Sequence, residues 1–164
     1  MLGMRELRVF PTGQKNSLQD WVKAKNPWQV VLNYLIISLS RIAPSLALKR
    51  GLLRLTGMKV GANVSIGLHA MFDIFFPELI VLEDNCLIGY NATILAHEFL
   101  IREYRTGPVV IGENALIGAN STVLPGVKIG KNAVVGAMSL VNRDVQDNEF
   151  VGGVPIQTLK KEKK

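Results

Sequence analysis

The chain has 164 residues, of which 48% are hydrophobic and 20% are charged. This length and balance allow one domain with a hydrophobic core and exclude an intrinsically disordered protein. The formal net charge of +6 indicates an anionic partner, but no nucleic-acid-binding motif or aromatic-laced basic patch is present, which argues against DNA or RNA. The single cysteine, Cys86, excludes an intrachain disulfide and favours a cytoplasmic location.

The first 57 residues form an N-terminal segment without repeats. Residues 1–26 are polar and mixed, and they contain Pro11 and Gly13, which predicts a loosely attached arm. Residues 28–55 are strongly apolar, but the charge-free run of about 15 residues is shorter than the roughly 20 that a membrane span needs. Two interpretations remain open: one or two helices that cover an open end of the following domain, or a basic amphipathic segment that lies on a membrane surface.

A six-residue period governs the stretch from residue 111 to residue 146, which divides into IGENAL, IGANST, VLPGVK, IGKNAV, VGAMSL and VNRDVQ. An aliphatic residue opens every six, and a small or β-branched residue holds the fifth place. This period fits neither an amphipathic helix nor an alternating strand. It predicts short strands separated by turns, with the openers stacked inside a parallel coil.

The same frame appears earlier, as VGANVS from residue 60 and LEDNCL from residue 82. Three sixes make one triangular turn, so the frame predicts turns at residues 60–77, 82–99, 111–128 and 129–146. Residues 100–110 are too charged for the core and should protrude. The predicted coil domain spans residues 58–154, and residues 155–164 form a basic C-terminal tail. We interpret Gly118, at a second place, as permitting a corner conformation, so that Gly118→Val should destabilise folding.

These repeats resemble the hexapeptide-repeat acyltransferases, and most closely the branch of maltose, galactoside and xenobiotic O-acetyltransferases. The resemblance covers residues 58–160. It implies a mainly β fold, a left-handed parallel β-helix of about four to five coils, in a threefold homotrimer. It also implies acetyl-CoA as acyl donor, no metal, and a sugar or glycan hydroxyl as acceptor. The left hand comes from the resemblance, because the general rule for parallel crossovers predicts a right-handed one.

Two histidines are present, and His97 directly precedes the protruding residues in ILAHEF. A neutral imidazole can accept a proton near pH 7, and the resemblance implies that His97 is the catalytic base. It also implies that Asp73, one turn earlier, holds the acceptor sugar; the alternative is a turn residue that bonds its own backbone. Glu98 is a second candidate to contact substrate or to orient the histidine. His69 is interpreted as an exposed corner residue.

The donor site follows from the resemblance alone. Ala119 and Ala137 match positions along the pantetheine arm, and Asn142 and Arg143 match contacts after the last aliphatic opener. Lys160 matches a second basic position near the phosphates. An arginine is common in the family where this chain has Gln157, so most of the phosphate contact is expected from Arg143 and Lys160.

The same fold allows two other interpretations. A γ-type carbonic anhydrase needs three histidine ligands, two of them close together, whereas this chain has two histidines 28 positions apart. A non-catalytic β-helix that serves as an assembly or binding module remains an alternative, because a fold does not fix a function. The segment before residue 58 also leaves a peripheral membrane contact open.

Overall fold

The structure is a computed structural model that describes residues 5–159. Its body is a parallel β-coil in which successive coils each add one short strand to each of three sheets. The first coil contains β2 (Lys59–Val60), β3 (Ser65–Ile66) and β4 (Met71–Phe72). The second contains β5 (Ile80–Leu82), β6 (Leu87–Ile88) and β7 (Thr93–Ile94). The third contains β10 (Val109–Ile111), β11 (Leu116–Ile117) and β12 (Thr122–Val123). The fourth contains β13 (Lys128–Ile129), β14 (Val134–Val135) and β15 (Leu140–Val141).

The aliphatic openers stack on one another inside the coil. Val60 pairs with Leu82, Leu82 pairs with Ile111, and Ile111 pairs with Ile129, all in parallel register. All four are buried, and the other two sheets repeat the pattern. The six-residue frame is therefore confirmed as the inward row of a parallel coil, and the fold is mainly β.

The corners of the coil lie at the fourth place of the six, and not at the second. A positive φ occurs there at nine positions: Asn63, His69, Asn85, Asn91, Asn114, Asn120, Gly126, Asn132 and Met138. Asparagine tolerates this left-handed conformation better than most residues. Gly118 does not adopt it. A Cβ at Gly118 would lie 2.4 Å from the backbone nitrogen of Ala137 on the next coil. Our interpretation of Gly118 was wrong, because glycine is needed there for the close approach of two coils.

The apolar N-terminal segment is helical, as the first of the two interpretations predicted. A 3₁₀ turn (Ser17–Asp20) and the short α1 (Trp21–Ala24) precede α2 (Pro27–Ile42) and α3 (Leu46–Leu55). The side chain of Asn26 accepts a hydrogen bond from the backbone N–H of Trp28, and proline follows it at the first helical position. Within residues 5–159, no helix combines the length and apolarity needed to cross a bilayer.

The helices α2 and α3, called the helical cap below, cover the open edge of the first coil. β2, β3 and β4 are the terminal strands of their sheets. Arg54 donates from Nε and Nη2 to the carbonyl of Val60, at 2.9 and 2.7 Å. Arg50 donates to the carbonyl of Val64 and Lys49 to that of Gly67. These cations satisfy edge carbonyls that would otherwise be free to pair with another chain.

Between the second and third coils the chain leaves the coil as a β-hairpin, formed by β8 (His97–Phe99) and β9 (Glu103–Thr106). β1 (Arg8–Pro11) pairs antiparallel with β9 as a third strand. The excursion therefore begins at residue 97 and is an ordered sheet. The arm of residues 1–26 was predicted to be loosely attached, and this was wrong for its described part, because Phe10 stacks on Tyr104 with ring centroids 4.7 Å apart.

After the fourth coil, β16 (Phe150–Gly152) continues one of the parallel sheets beside β14. β17 (Gln157–Thr158) then folds back antiparallel to β16. The boundary placed after residue 154 therefore divides a hairpin, so residues 155–158 belong to the coil domain.

Candidate active site

His97 lies where the chain departs from the coil. It is the first residue of β8 and faces Thr106 across the hairpin. The backbone N–H of Gly107 donates to the carbonyl of Ala96 at 2.9 Å, which closes the base of the hairpin. The side chain of His97 is 14% exposed. His97 holds a fourth place but not a left-handed corner conformation, so the start of the hairpin, and not a coil corner, positions it.

The imidazole of His97 is held by a buried carboxylate. Nδ1 of His97 lies 2.5 Å from Oδ2 of Asp73, whose side chain is fully buried. Because an ionised carboxylate can only accept, Nδ1 carries the proton in this contact. The other ring nitrogen, Nε2, is then the basic one. We call His97 and Asp73 the dyad.

Backbone donors fix Asp73 from both sides. Oδ1 accepts from the N–H groups of Phe75 and Phe76, and Oδ2 accepts from those of Ala96 and His97, at 2.7 to 3.0 Å. Burial by itself raises the pKa of Asp73, but the hydrogen bond and charge of His97, together with the backbone donors, hold that pKa below its ordinary value. The carboxylate therefore stays ionised beside the imidazole.

An aromatic wall surrounds the imidazole. The rings of Phe75 and Phe99 each lie 4.8 Å from that of His97, centroid to centroid, and Phe76 lies at 5.9 Å. Tyr104 extends the wall behind Phe76 and Phe99. These rings fix the plane of the imidazole and limit the access of water to it. The wall was not predicted, since Phe75, Phe76 and Phe99 fall at irregular places of the repeat and Tyr104 lies in the excursion.

The two candidate carboxylates, Asp73 and Glu98, lie in different surroundings. Asp73 was expected to hold the acceptor or, as the alternative, to bond the backbone of its own turn. The contacts follow the alternative, since Oδ1 accepts from the N–H groups of Phe75 and Phe76, while Oδ2 contacts His97. Glu98 follows His97 on a strand, so its side chain points to the opposite face. It lies 3.1 Å from Arg5 and 4.0 Å from Arg105, and its contacts are with these arginines. Asp73, and not Glu98, is therefore the carboxylate in contact with the imidazole.

His69 is a half-exposed corner residue with a φ of 61°. Its ring meets that of Tyr90 edge-on, and its backbone N–H donates to the carbonyl of Arg41. These contacts are those of the corner residue that the sequence suggested.

The predicted donor residues Ala119 and Ala137 stack at one corner of the coil. The backbone N–H of Met138 donates to the carbonyl of Ala119 at 2.9 Å, which ties the two corners together. Ala119 is half-buried and Ala137 is exposed. Their short side chains suit contact with an extended, narrow ligand.

The predicted phosphate contacts lie after the last coil. Asn142 is exposed. Arg143 is half-buried, and its Nη2 lies 3.1 Å from Oε1 of Glu149. Burial raises the pKa of Glu149, but hydrogen bonds from Arg143, Thr158 and the backbone outweigh it and keep the pKa low. The charge of Arg143 is thus already paired. Gln157 is exposed on β17, and Lys160 lies outside the described residues.

Two family descriptions match the repeats. Residues 108–143 match the bacterial transferase hexapeptide pattern of six repeats. Residues 79–94 match the hexapeptide repeat of succinyl-transferase. Both matches fall on the coil that the frame predicted.

Relatives of comparable length share nearly half of the sequence. "Putative acetyltransferase YvoF" of Bacillus subtilis (strain 168) is 47% identical over 157 residues, which cover 95% of this chain and 91% of that protein. A protein of Staphylococcus aureus (strain MSSA476), also named a putative acetyltransferase, is 48% identical over 129 residues, or 78% of this chain and 80% of that protein.

Solved structures show the same fold. A hexapeptide-repeat acetyltransferase from Vibrio cholerae superposes with a TM-score of 0.65 at 22% identity, over 84% of this chain and 92% of that one. A galactoside acetyltransferase in complex with coenzyme A gives 0.65 at 22%, over 82% and 81%. A maltose O-acetyltransferase from Clostridium difficile 630 gives 0.61 at 20%, over 91% and 92%. These structures share the fold. The 47% identity to the Bacillus protein over 95% of this chain, together with the hexapeptide matches, establishes that the chain belongs to the hexapeptide-repeat acetyltransferases.

Proposed function

We propose that the protein transfers the acetyl group of acetyl-CoA to a hydroxyl of a sugar or glycan, with His97 as general base. The observation that carries the proposal is the 2.5 Å contact between Nδ1 of His97 and the buried carboxylate of Asp73. A histidine oriented in this way presents Nε2 as a proton acceptor. The sugar acceptor is supported by the names of two structural neighbours, which act on galactoside and maltose.

His97 would take the proton of the acceptor hydroxyl onto Nε2 as the hydroxyl oxygen attacks the thioester carbonyl. Asp73 stabilises the imidazolium that forms, because its carboxylate is ionised and accepts from Nδ1. The C–S bond then breaks, and the imidazolium returns its proton to the departing thiolate. His97 ends neutral, and the products are free CoA and the acetyl ester.

The donor would lie along the corner formed by Ala119 and Ala137 and continue past Asn142 toward Arg143 and Lys160. The short side chains at that corner support the placement of the pantetheine arm. Since Arg143 is already paired with Glu149, a bound phosphate would have to share this guanidinium or rely on Lys160. We therefore expect a weaker contribution from Arg143 than from an unpaired arginine.

The acceptor would lie against the aromatic wall. A cleft of about 350 Å³ opens beside it, lined by Phe10, Tyr104, Asp20 and Lys23 among others. Aromatic faces pack against the C–H surfaces of sugar rings, and charged side chains hydrogen-bond their hydroxyls. A larger, open groove lies over β2 and β5. Neither lining includes the dyad, but the smaller cleft shares Tyr104 with the aromatic wall, whereas the larger groove shares no residue with it.

The proposal extends to the left-handed coil and the threefold trimer that the resemblance implies. Support for the trimer comes from the outward row of the sheet that contains β6 and β11. Leu87 and Leu116 are neighbours in this row and are both exposed. An exposed apolar row on a flat sheet needs burial.

The test is acceptor-dependent release of free CoA, measured with purified protein, acetyl-CoA and a panel of sugars, nucleotide sugars and glycan fragments. His97→Ala should lower the rate by about a hundredfold or more and leave CoA affinity unchanged, because a general base is worth about 10²–10⁴-fold.

The matched control is His69→Asn, which changes the other histidine and keeps a residue that tolerates a positive φ. It should retain most of the activity. Near-normal turnover by His97→Ala would remove His97 from the mechanism. Failure of the wild-type protein to bind CoA at all would favour the non-catalytic β-helix module.

A further inference from the structure

The outer face of α2 is apolar and uncovered. Six residues at helical spacing form one stripe, called the outer stripe below: Trp28, Val31, Leu32, Leu35, Leu39 and Ile42. All six are exposed, and the side chain of Trp28 is 82% exposed. The opposite face of the same helix is buried through Val30 and Ile37. A helix that is apolar on both faces is normally buried on both. Packing against the coil buries only the inner face of α2, so the apolar outer face is left without a partner.

The positive charge of the protein is concentrated around this helix. Of the 19 basic and 13 acidic residues, seven basic and no acidic residues lie between positions 21 and 72. The other positions therefore carry 12 basic and 13 acidic residues, which nearly cancel. Lys23 and Lys25 pair with Asp20 and Glu78, which lie just outside this range, and Lys49 is buried, so the excess at this surface rests on the four other cations.

Several of these cations have no acidic partner. Arg41, at the end of α2, and Arg50, Arg54 and Lys59 beyond it make no ion pair with any residue in the part of the chain that is described. Arg50 and Arg54 donate to backbone carbonyls of the first coil, which are uncharged partners. All four are at least partly exposed.

The apolar outer stripe and the cations without acidic partners together indicate what kind of surface covers the stripe. A second copy of the same cap would bring together two surfaces of the same net charge, and like charges across an interface are unfavourable. Anionic phospholipid headgroups complement the charge, and the acyl boundary beneath them buries apolar side chains. With 16 residues, α2 is too short to span the hydrocarbon core and suits an orientation along the surface.

We propose that the outer stripe of α2 docks on the surface of a bilayer that contains anionic phospholipids. Docking would bring the candidate active site close to the membrane. On the buried face of α2, Asn33 donates from Nδ2 to the carbonyl of Ile74, the residue after Asp73. The dyad thus lies beside the helix whose outer face meets the lipid.

The first test is co-flotation of the full chain with phosphatidylcholine vesicles that contain or lack phosphatidylglycerol. The protein should float with the anionic vesicles at low salt and lose binding without phosphatidylglycerol or at high salt. In the double variant Leu35→Gln/Leu39→Gln the bound fraction should fall about tenfold or more. The control is Ile101→Gln, which changes an apolar residue of similar exposure (68%) at the hairpin tip and should bind as the wild type does.

Failure of the wild-type protein to float with anionic vesicles would overturn the proposal, as would undiminished flotation of a folded double variant. A lower oligomer mass of the double variant in light scattering would show instead that the stripe is a protein interface.

A second readout covers the case in which the double variant does not fold. The chain has two tryptophans, Trp21 and Trp28. In Trp21→Phe the emission of Trp28 should shift to the blue when anionic vesicles are added, and an unchanged spectrum would count against docking.

Discussion

At the scale of single residues, the carboxylate of Asp73 connects the backbone of the coil to His97, the proposed general base. It accepts from four backbone N–H groups and from His97. An amide in its place has one accepting atom and turns an N–H₂ group toward donors. We expect Asp73→Asn to lower acceptor-dependent CoA release at least about tenfold, with CoA affinity unchanged, because Nε2 is no longer held as an oriented base.

The control for Asp73→Asn is Asp84→Asn. The carboxylate of Asp84 also accepts a backbone N–H from another coil, that of Ala62 at 2.8 Å, but it does not contact His97. Equal loss of activity in both variants would mean that Asp73 supports only the coil.

Asp73→Asn should also change how the stability of the protein depends on pH. The folded-state pKa of Asp73 lies below its ordinary value of 3.8, so its stabilising contribution is present above about pH 4 and is lost as the pH falls through the folded-state pKa. Asp73→Asn should therefore be less stable at pH 7, by about 1–3 kcal/mol, and the difference should shrink in strong acid. Melting temperatures of both proteins from pH 7 downward measure this convergence, and a constant difference would contradict it.

Part of the dyad could be predicted from the sequence. His97 was identified because it precedes the excursion. Its partner was not, because Asp73 lies 24 positions earlier. The frame did carry a signal, since the first two coils are offset by 22 residues and Phe72 pairs with Ile94. That offset places Asp73 level with Leu95, within two residues of His97. Two of the backbone donors to Asp73 lie in the irregular turn that follows it, and the other two lie where the hairpin begins. The repeat describes neither place.

At the scale of the coil, the spacing between turns can be tested with two glycines at the same place of the six. A Cβ at Gly118 would lie 2.4 Å from the nitrogen of Ala137, whereas at Gly136 the nearest atom is 3.5 Å away, the carbonyl oxygen of Val151. Gly118→Ala should destabilise the protein by about 2 kcal/mol or more, because backbone must move. Gly136→Ala should have little effect.

Denaturant or thermal unfolding of the two alanine variants gives the comparison. Equal melting temperatures would show that close approach of the next coil is not the reason for glycine at the second place of the six. The contrast could not be drawn from the sequence, which has glycine at both positions and does not reveal how closely the next turn follows. The residues that open each six were predictable, because their burial requires an aliphatic side chain at every sixth position. Close backbone approach and a corner conformation both favour small or polar residues, so the sequence does not distinguish these two requirements.

The N-terminal arm shows the same limit at the level of strands. β1 joins the sheet only because the hairpin of β8 and β9 presents a free edge. Neither element has a repeat to mark it. The sequence pattern distinguished a coil from a helix, but it could not show which non-repeated segments pair.

At the scale of the whole molecule, the outer surfaces decide how the protein assembles. The sheet with β6 and β11 carries an apolar outward row, whereas the equivalent places on β7 and β12 are Thr93 and Thr122. We expect copies of the chain to meet on the apolar row. A trimer of the 18.0 kDa chain has a mass of about 54 kDa. Leu87→Glu/Leu116→Glu should lower that mass to that of a single chain, because it places two like charges in the interface.

The matched control is Thr93→Glu/Thr122→Glu, which puts the same charges at paired positions of the neighbouring sheet. Light scattering should give an unchanged mass for it. If the leucine variant remains trimeric while folded, the subunits meet on another face. If it becomes monomeric and also loses CoA binding, the donor site is shared between subunits, since neither leucine is among the residues assigned to the donor within one chain.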